Sequence, residues 1–518
     1  MKLKLNELDS YGSNFILPKF NIDEVRRRTH NKPKWLHFGA GNIFRAFPAV
    51  LCQQLLNEGL TNTGIIAAEG YDTEIIDSIF KKYDSLTLCV TLNGDGSIKN
   101  EVVASVTEGI KADFKDSADR QRLLDIFAAE SLEMVSLTIT EKGYSLKGAQ
   151  ADFDRQPMSA AGSMGILAAL CLHRFNTCGA PLTLVSMDNC SHNGTRLKEA
   201  VTAIAENWVR NGFAPSDFLD YMQNSISYPW TMIDKITPRP SPVAAQKLKE
   251  LGFEDTETIV TAKNTFTAPF VNAEAPQYLV IEDDFKNGRP PLEKAGVIFT
   301  DRQTVDKVEK MKVCTCLNPL HTALAVFGCV LGYTKISDEM ENKHLVSLIK
   351  HIGIDEGLPV VTDPKIIEPK AFIDEVINVR LPNPFMPDAP QRIACDTSQK
   401  VAIRFGETIK AYDDRAEGLK YVPLALAGWL RYLMGIDDNG KPFELSPDPL
   451  LDELTAEIGK IQFGNNDATD TVLDKILSRS DIFGVSLKAC GLDKKIKAYF
   501  KEMNSGKGSV ADTLAKYC

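Results

Sequence analysis

No stretch of the 518-residue sequence stays apolar for the roughly 20 positions a helix needs to cross a bilayer, so no membrane partner is expected. Residues 1–20 carry no apolar core of the kind found in a secretory leader, and the chain is read as cytoplasmic. Basic clusters are scarce. The longest is Arg26-Arg27-Arg28, and the formal net charge is −10. A nucleic-acid surface needs concentrated positive charge, so that class of partner is not expected. Metal-ligand spacing is lacking as well. Cys314 and Cys316 stand one residue apart with no second pair to complete a zinc set, and no metal is expected. The 11 cysteines are an odd number that suits reduced thiols better than a disulfide framework.

What remains is an ordinary globular composition, 44% hydrophobic and 25% charged, in a chain too long for one core. Strand and helix patterns alternate in the first part, and from Thr304 the pattern is mostly helical. This predicts an α/β domain over residues 1–295, with a doubly wound, largely parallel sheet, and a mostly α-helical domain over 296–518.

Residues 34–39 read as a strand that runs into Gly39-Ala40-Gly41-Asn42-Ile43. Helical spacing follows from Ala46 to Leu60, where Pro48 has to lie in a first turn or kink the helix. Strand, glycine turn and helix form the setting in which a pyrophosphate is cradled. The first glycine bends the chain and the second lets phosphate reach backbone N–H groups. A plain strand-turn-helix accounts for the same residues, because Phe44 stands where the dinucleotide pattern has its third glycine. The next strand ends at Glu69. A carboxylate there can accept from the ribose hydroxyls and repels a 2′-phosphate, which favours NAD over NADP. Asp72 is a rival, and a solvated loop carboxylate the bland alternative. Residues 85–107 read as a hairpin around Asn93-Gly94-Asp95-Gly96. Glu141 and Asn189 fall at the carboxyl ends of later strands, where ligands of such sheets sit.

The stretch from Lys312 to His321 places an ammonium, the Asn318 carboxamide and an imidazole ahead of an apolar run. Burial disfavours the charged form of an amine, and a neutral amine can take the proton of an alcohol. Asn and His can hold the oxygen that loses it. The alternative is structural: Lys312 on a wet face, Asn318 as a helix cap, His321 as a core histidine.

Ordered motifs extend the reading. They are His37-Phe-Gly-Ala-Gly-Asn-Ile, Ser136-Leu-Thr-Ile-Thr-Glu-Lys-Gly-Tyr144 and Ser186-Met-Asp-Asn189 with Asn193-Gly194. Asp234-Lys-Ile-Thr-Pro238, Val280-Ile-Glu-Asp-Asp-Phe285, Lys312 with Asn318 and His321, and Arg392 with Lys400 follow. In their order and spacing they resemble the mannitol dehydrogenase family of long-chain polyol-specific dehydrogenases, which includes mannonate and altronate oxidoreductases. The resemblance implies a metal-independent enzyme using NAD or NADP. It implies a Rossmann-type N-terminal domain, a mostly helical C-terminal domain and a site in the cleft between them. It assigns Lys312 as general base, Asn189 and Asn318 as partners of the reacting oxygen, and His321 as orienting residue. It further assigns Asp234, Arg392 and Lys400 to substrate contacts, and Glu309 to a proton path. Gly39, Gly41, Asn42, Ile43, Glu69 and Glu141 fall to the coenzyme.

Three departures stand out. Five residues separate Lys312 from Asn318 where the family has four, and on a regular helix one extra residue turns Lys312 about 100° away. Asn318-Pro319 reads as the start of a new helix, so a break at 317–318 or a π-bulge could absorb it. Lys235 replaces an arginine, which loses a bidentate fork. Phe44 stands where relatives have Gly or His. The expected reaction is reduction of D-fructuronate to D-mannonate. Mannitol–fructose interconversion, tagaturonate reduction and a noncatalytic nucleotide sensor are the alternatives.

Overall fold

The apolar strand ahead of the glycine turn lies inside a six-stranded parallel sheet. Its strands are β1 (Trp35–Phe38), β2 (Ile65–Glu69), β3 (Val106–Lys111), β4 (Met134–Leu137), β5 (Leu182–Ser186) and β6 (Ile226–Ser227). They lie in the order β3-β2-β1-β4-β5-β6, every pair parallel. The order turns back between β1 and β4, the switch point at which Rossmann-type sheets bind their ligand. All residues of β1, β2, β4 and β5 are buried, as parallel strands covered on both faces require. The computed structural model describes residues 1–148 and 150–518, and the side chains of all of these except 150 and 151. They form two compact units, Met1–Asp306 and Lys307–Cys518.

In the first unit the helix expected from Ala46 to Leu60 is two helices, α1 (Asn42–Ala46) and α2 (Pro48–Asn57). Phe47 interrupts them at φ −132°, because a residue ahead of proline avoids α geometry. Pro48 opens α2, where its missing N–H costs no bond. Two longer helices, α3 (Ser163–Thr177) and α4 (Asn193–Arg210), cover one sheet face. Leu170, Val201 and Trp208 from these helices share a core with Leu36, Val135 and Leu184 of the strands. The expected hairpin is present as Thr87–Leu92 against Ile98–Val103, with Leu92 opposite Ile98.

The second unit is helical. Beyond helix α5 (Arg302–Lys310) comes a π-helical segment, Met311–Cys316, and then helix α6 (Asn318–Leu331). Together Arg302–Leu331 reach the length and apolarity of a membrane span, which the sequence alone did not suggest. However, 72% of the apolar window is buried inside the protein, as in a core helix. Helix α7 (Tyr421–Tyr432) packs against α6 so closely that a Cβ on Gly428 would lie 2.5 Å from the Phe327 ring. The buried Glu356 carboxylate caps α7 by accepting from the N–H groups of Lys420, Tyr421 and Val422.

Candidate active site

In the first unit the site begins at the glycine turn. Gly39 has φ +100°, and a Cβ there would lie 2.1 Å from the Thr138 carbonyl oxygen, so only glycine fits. A Cβ on Gly41 would meet nothing within 4 Å, which leaves open space against the backbone for a phosphate. Glu69 fastens this turn. One carboxylate oxygen accepts from Ala40 N at 2.8 Å, the other from Tyr71 N at 2.8 Å and Asp72 N at 3.0 Å. Three of its roughly four lone-pair sites thus go to backbone amides. Its rival Asp72 is buried and accepts from the Thr261 hydroxyl at 2.6 Å. Asn42 reaches the Pro238 carbonyl at 3.4 Å, and Ile43 follows it in α1.

Phe44 has a physical reason. Its ring stacks flat on His37, centroids 4.2 Å apart at 11°. His37 is clamped between Ser136 Oγ at 2.6 Å and Thr138 Oγ1 at 2.8 Å. Burial pushes its imidazole down to about 3, so it stays neutral at physiological pH. The aromatic pair joins the turn to β4.

At the ends of β4 and β5 the central residue is Asp188. It accepts from Ile139 N at 3.0 Å and Thr140 N at 2.8 Å, and from the Tyr144 hydroxyl. These bonds hold Thr140 at φ +65°. Burial raises the Asp188 carboxyl above its ordinary value, and its donors offset that only in part. Asn193 is structural: its amide donates to the Asp188 carbonyl at 2.9 Å and to Thr231. Asn189, next to Asp188, is exposed, and its carboxamide makes no hydrogen bond among the described residues. Glu141 is exposed and paired with Arg196. Asp234 is buried at the end of the strand Thr231–Asp234. Lys235 donates to the Glu274 carbonyl and Gln277.

In the second unit Lys312 is only 3% exposed, so its amine does not project into bulk solvent. The extra residue ahead of Asn318 is taken up in two ways. Leu317 N bonds to Lys312 O at 3.0 Å, an i to i+5 closure, and Leu317 leaves helical geometry at φ −128°. Helix α6 then starts afresh at Asn318 with Pro319 in its first turn. The cap position falls on Leu317, and the Asn318 side chain makes no hydrogen bond among the described residues. The one-residue departure in spacing therefore has a local cause. Glu309 lies half-buried one turn before Lys312.

His321, half-buried in the first turn of α6, has Nε2 2.8 Å from Asp388 Oδ2. The contact has the distance of an ion pair without the alignment of a hydrogen bond. Burial raises the Asp388 carboxyl, but His321 and Arg392 outweigh it and hold it below the ordinary range. Arg392 is exposed and bound to Asp388 through Nε at 3.1 Å. Lys400 donates to the Cys395 carbonyl at 2.6 Å, and burial, followed by nearby Arg404, lowers its amine.

Sequence reasoning missed Asp388 and Arg404. Asp388 had a signal, since it stands four residues before Arg392. Arg404 had none, because its contact to Thr322 spans 82 residues.

Comparison with known proteins follows the same division. The Rossmann domain of mannitol dehydrogenase matches residues 33–294, and the mannitol dehydrogenase C-terminal domain matches residues 304–504. A D-mannonate oxidoreductase of Thermotoga maritima is 50% identical over 96% of this chain and 94% of its own. Among solved structures, a substrate-free D-sorbitol dehydrogenase has a TM-score of 0.83 at 25% identity, covering 99% of this chain and 100% of that one. The Pseudomonas fluorescens mannitol 2-dehydrogenase, in ternary complex with NAD and D-mannitol, has a TM-score of 0.72 at 25% identity, covering 100% and 99%.

Proposed function

The chain belongs to the mannitol dehydrogenase family, and from that premise we propose that it is an NAD-dependent reductase converting D-fructuronate to D-mannonate. The observation that carries this reading is the 50% identity, sustained along almost the whole chain, to a D-mannonate oxidoreductase. The open backbone at Gly41 suits the coenzyme pyrophosphate, and Gly39, Asn42, Ile43, Glu69 and Glu141 complete its contacts. We assign nucleotide binding to residues 1–295 and substrate binding to 296–518. A cytoplasmic location agrees with 11 free cysteines.

The nicotinamide, when bound, supplies or accepts the hydride. Buried Lys312 handles the proton. In reduction its ammonium protonates the alkoxide oxygen, and in oxidation the neutral amine removes that proton. Asn189 and Asn318 have side-chain amides without hydrogen-bond partners among the described residues, ready to donate to the oxygen as charge develops. His321, held by Asp388, orients the substrate. Asp234, Arg392 and Lys400 contact the remaining hydroxyls, and Glu309 passes the Lys312 proton towards water.

Initial rates with fructuronate, tagaturonate and fructose, each with NADH and NADPH, test this. Fructuronate with NADH is expected to give the highest kcat/KM. Absence of turnover with either uronate overturns the proposal. Fructose as the best substrate would establish mannitol–fructose interconversion, which the likeness to the mannitol complex favours.

A further inference from the structure

Arg404 sits in another π-helical segment, Ala402–Gly406, which leads into the helix Glu407–Tyr412. This segment is tied to both parts of the catalytic stretch. Thr408 donates to the Cys314 carbonyl at 3.3 Å, and Arg404 Nη1 donates to the Thr322 hydroxyl. That hydroxyl in turn donates to the Asn318 carbonyl at 2.8 Å. The guanidinium is therefore fixed against the start of α6 at Thr322, the residue after His321 in sequence.

Among the described residues no carboxylate lies within ion-pair distance of Arg404, and Nε and Nη2 have no acceptor. Neither nitrogen is sealed from solvent. Burial alone pushes the guanidinium down to about 10, with no acidic neighbour to restore it. Lys400 lies near enough for the two cations to oppose each other, while Asp396 and Asp448 act on Lys400 only. A largely buried cation without a counter-charge is costly, and a neighbouring cation makes it more so. An incoming carboxylate removes both costs. By contrast, Arg392 already has Asp388.

We propose that Arg404, supported by Lys400, is the residue that recognises the carboxylate of a sugar-acid substrate. The Nε and Nη2 edge offers the fork that a carboxylate fits. Thr322 lies four residues beyond Asn318, about 6 Å along the helix axis. An open-chain six-carbon keto acid carries its carboxylate at a comparable reach from its ketone. The inference rests on the keto-uronate reading above and adds the residue that sets it apart from a neutral ketose.

The test compares Arg404→Met and Arg404→Lys with the parent enzyme on fructuronate and on fructose. A carboxylate anchor remote from the reacting carbon contributes uniform binding, so the loss is expected in KM, not kcat. Arg404→Met is expected to lose about 100-fold in kcat/KM for fructuronate and less than about threefold for fructose. Arg404→Lys is expected to recover part of the loss, since it restores charge without the fork. Equal losses on both substrates, or no loss on fructuronate, overturn the proposal. Should the parent enzyme reduce no uronate, the reaction assigned above fails and Arg404 is judged by calorimetry. Tighter binding of mannonate than of mannitol, abolished in Arg404→Met, supports it, and equal binding of the two overturns it.

Discussion

Two buried arginines of the first unit and two half-buried side chains of the second, Asn318 and Arg404, use their hydrogen-bonding capacity differently. In the first pair protein acceptors fill it. Arg45 donates to Thr87 and Thr267 hydroxyls and to the Ala268 and Pro269 carbonyls. Arg174 donates to five carbonyls ahead of β4 and β5. In the second unit Asn318 and Arg404 retain open donors, and the buried Glu339 carboxyl has no hydrogen-bond partner among the described residues. Burial holds Arg45 and Arg404 alike at about 10, so desolvation does not distinguish them. What differs is whether the protein itself fills their bonds. A saturated side chain is scaffold, and one with unfilled capacity is available to a ligand or a proton.

Four substitutions sharpen this contrast. Lys312→Ala is expected to lower kcat about 10²- to 10⁴-fold while thermal unfolding stays within a few degrees. Full turnover by this variant would remove the proton-transfer assignment. Arg45→Met is expected to do the opposite. It strands buried carbonyls and hydroxyls, so urea unfolding should report a loss of about 3 kcal/mol, with kcat nearly unchanged in the protein that remains folded. Asn318→Ala should reduce kcat about 10²-fold, with little change in the urea midpoint. A large stability loss there would place Asn318 with the scaffold.

The smallest effect concerns Glu339. Its carboxyl is fully buried and packed on Gly328, where a Cβ would lie 2.0 Å from Oε1. Burial, then Asp388 and Asp338, raise it to about 9. The folded chain therefore keeps a proton that the unfolded chain releases above about pH 4.3. Stability from this group is complete below that value and is lost as pH rises through about 9. The slope is at most about 1.4 kcal/mol per pH unit. Glu339→Gln should flatten the fall in urea midpoint between pH 5.5 and 8.5, and an unchanged slope would show that the carboxyl is already ionised.

The legibility of the sequence follows the range of each interaction. The alternating half was readable because parallel strands buried on both faces are continuous apolar runs, and Gly39 marks a bend that no other residue allows. The break at Asn318 was readable from the proline after it. The π closure over Met311–Cys316 had no residue signature; only the misfit of one position pointed to it. Phe44 looked like a defect in the glycine pattern until His37, seven residues earlier, supplied the ring it stacks on. Glu339 and Arg404 act across folds of chain whose proximity no local periodicity encodes, and so does Asp388 towards His321, although its pairing with Arg392 is local.

The Glu69 bridge between the glycine turn and the loop after β2 limits redesign of the coenzyme preference proposed for that residue. Exchanging this acid for a small or basic residue, in order to admit a 2′-phosphate, would also release the Ala40 amide and slacken the turn. An engineer seeking such a variant would do better to leave Glu69 in place and alter its exposed neighbour Tyr71, against which Lys263 already rests.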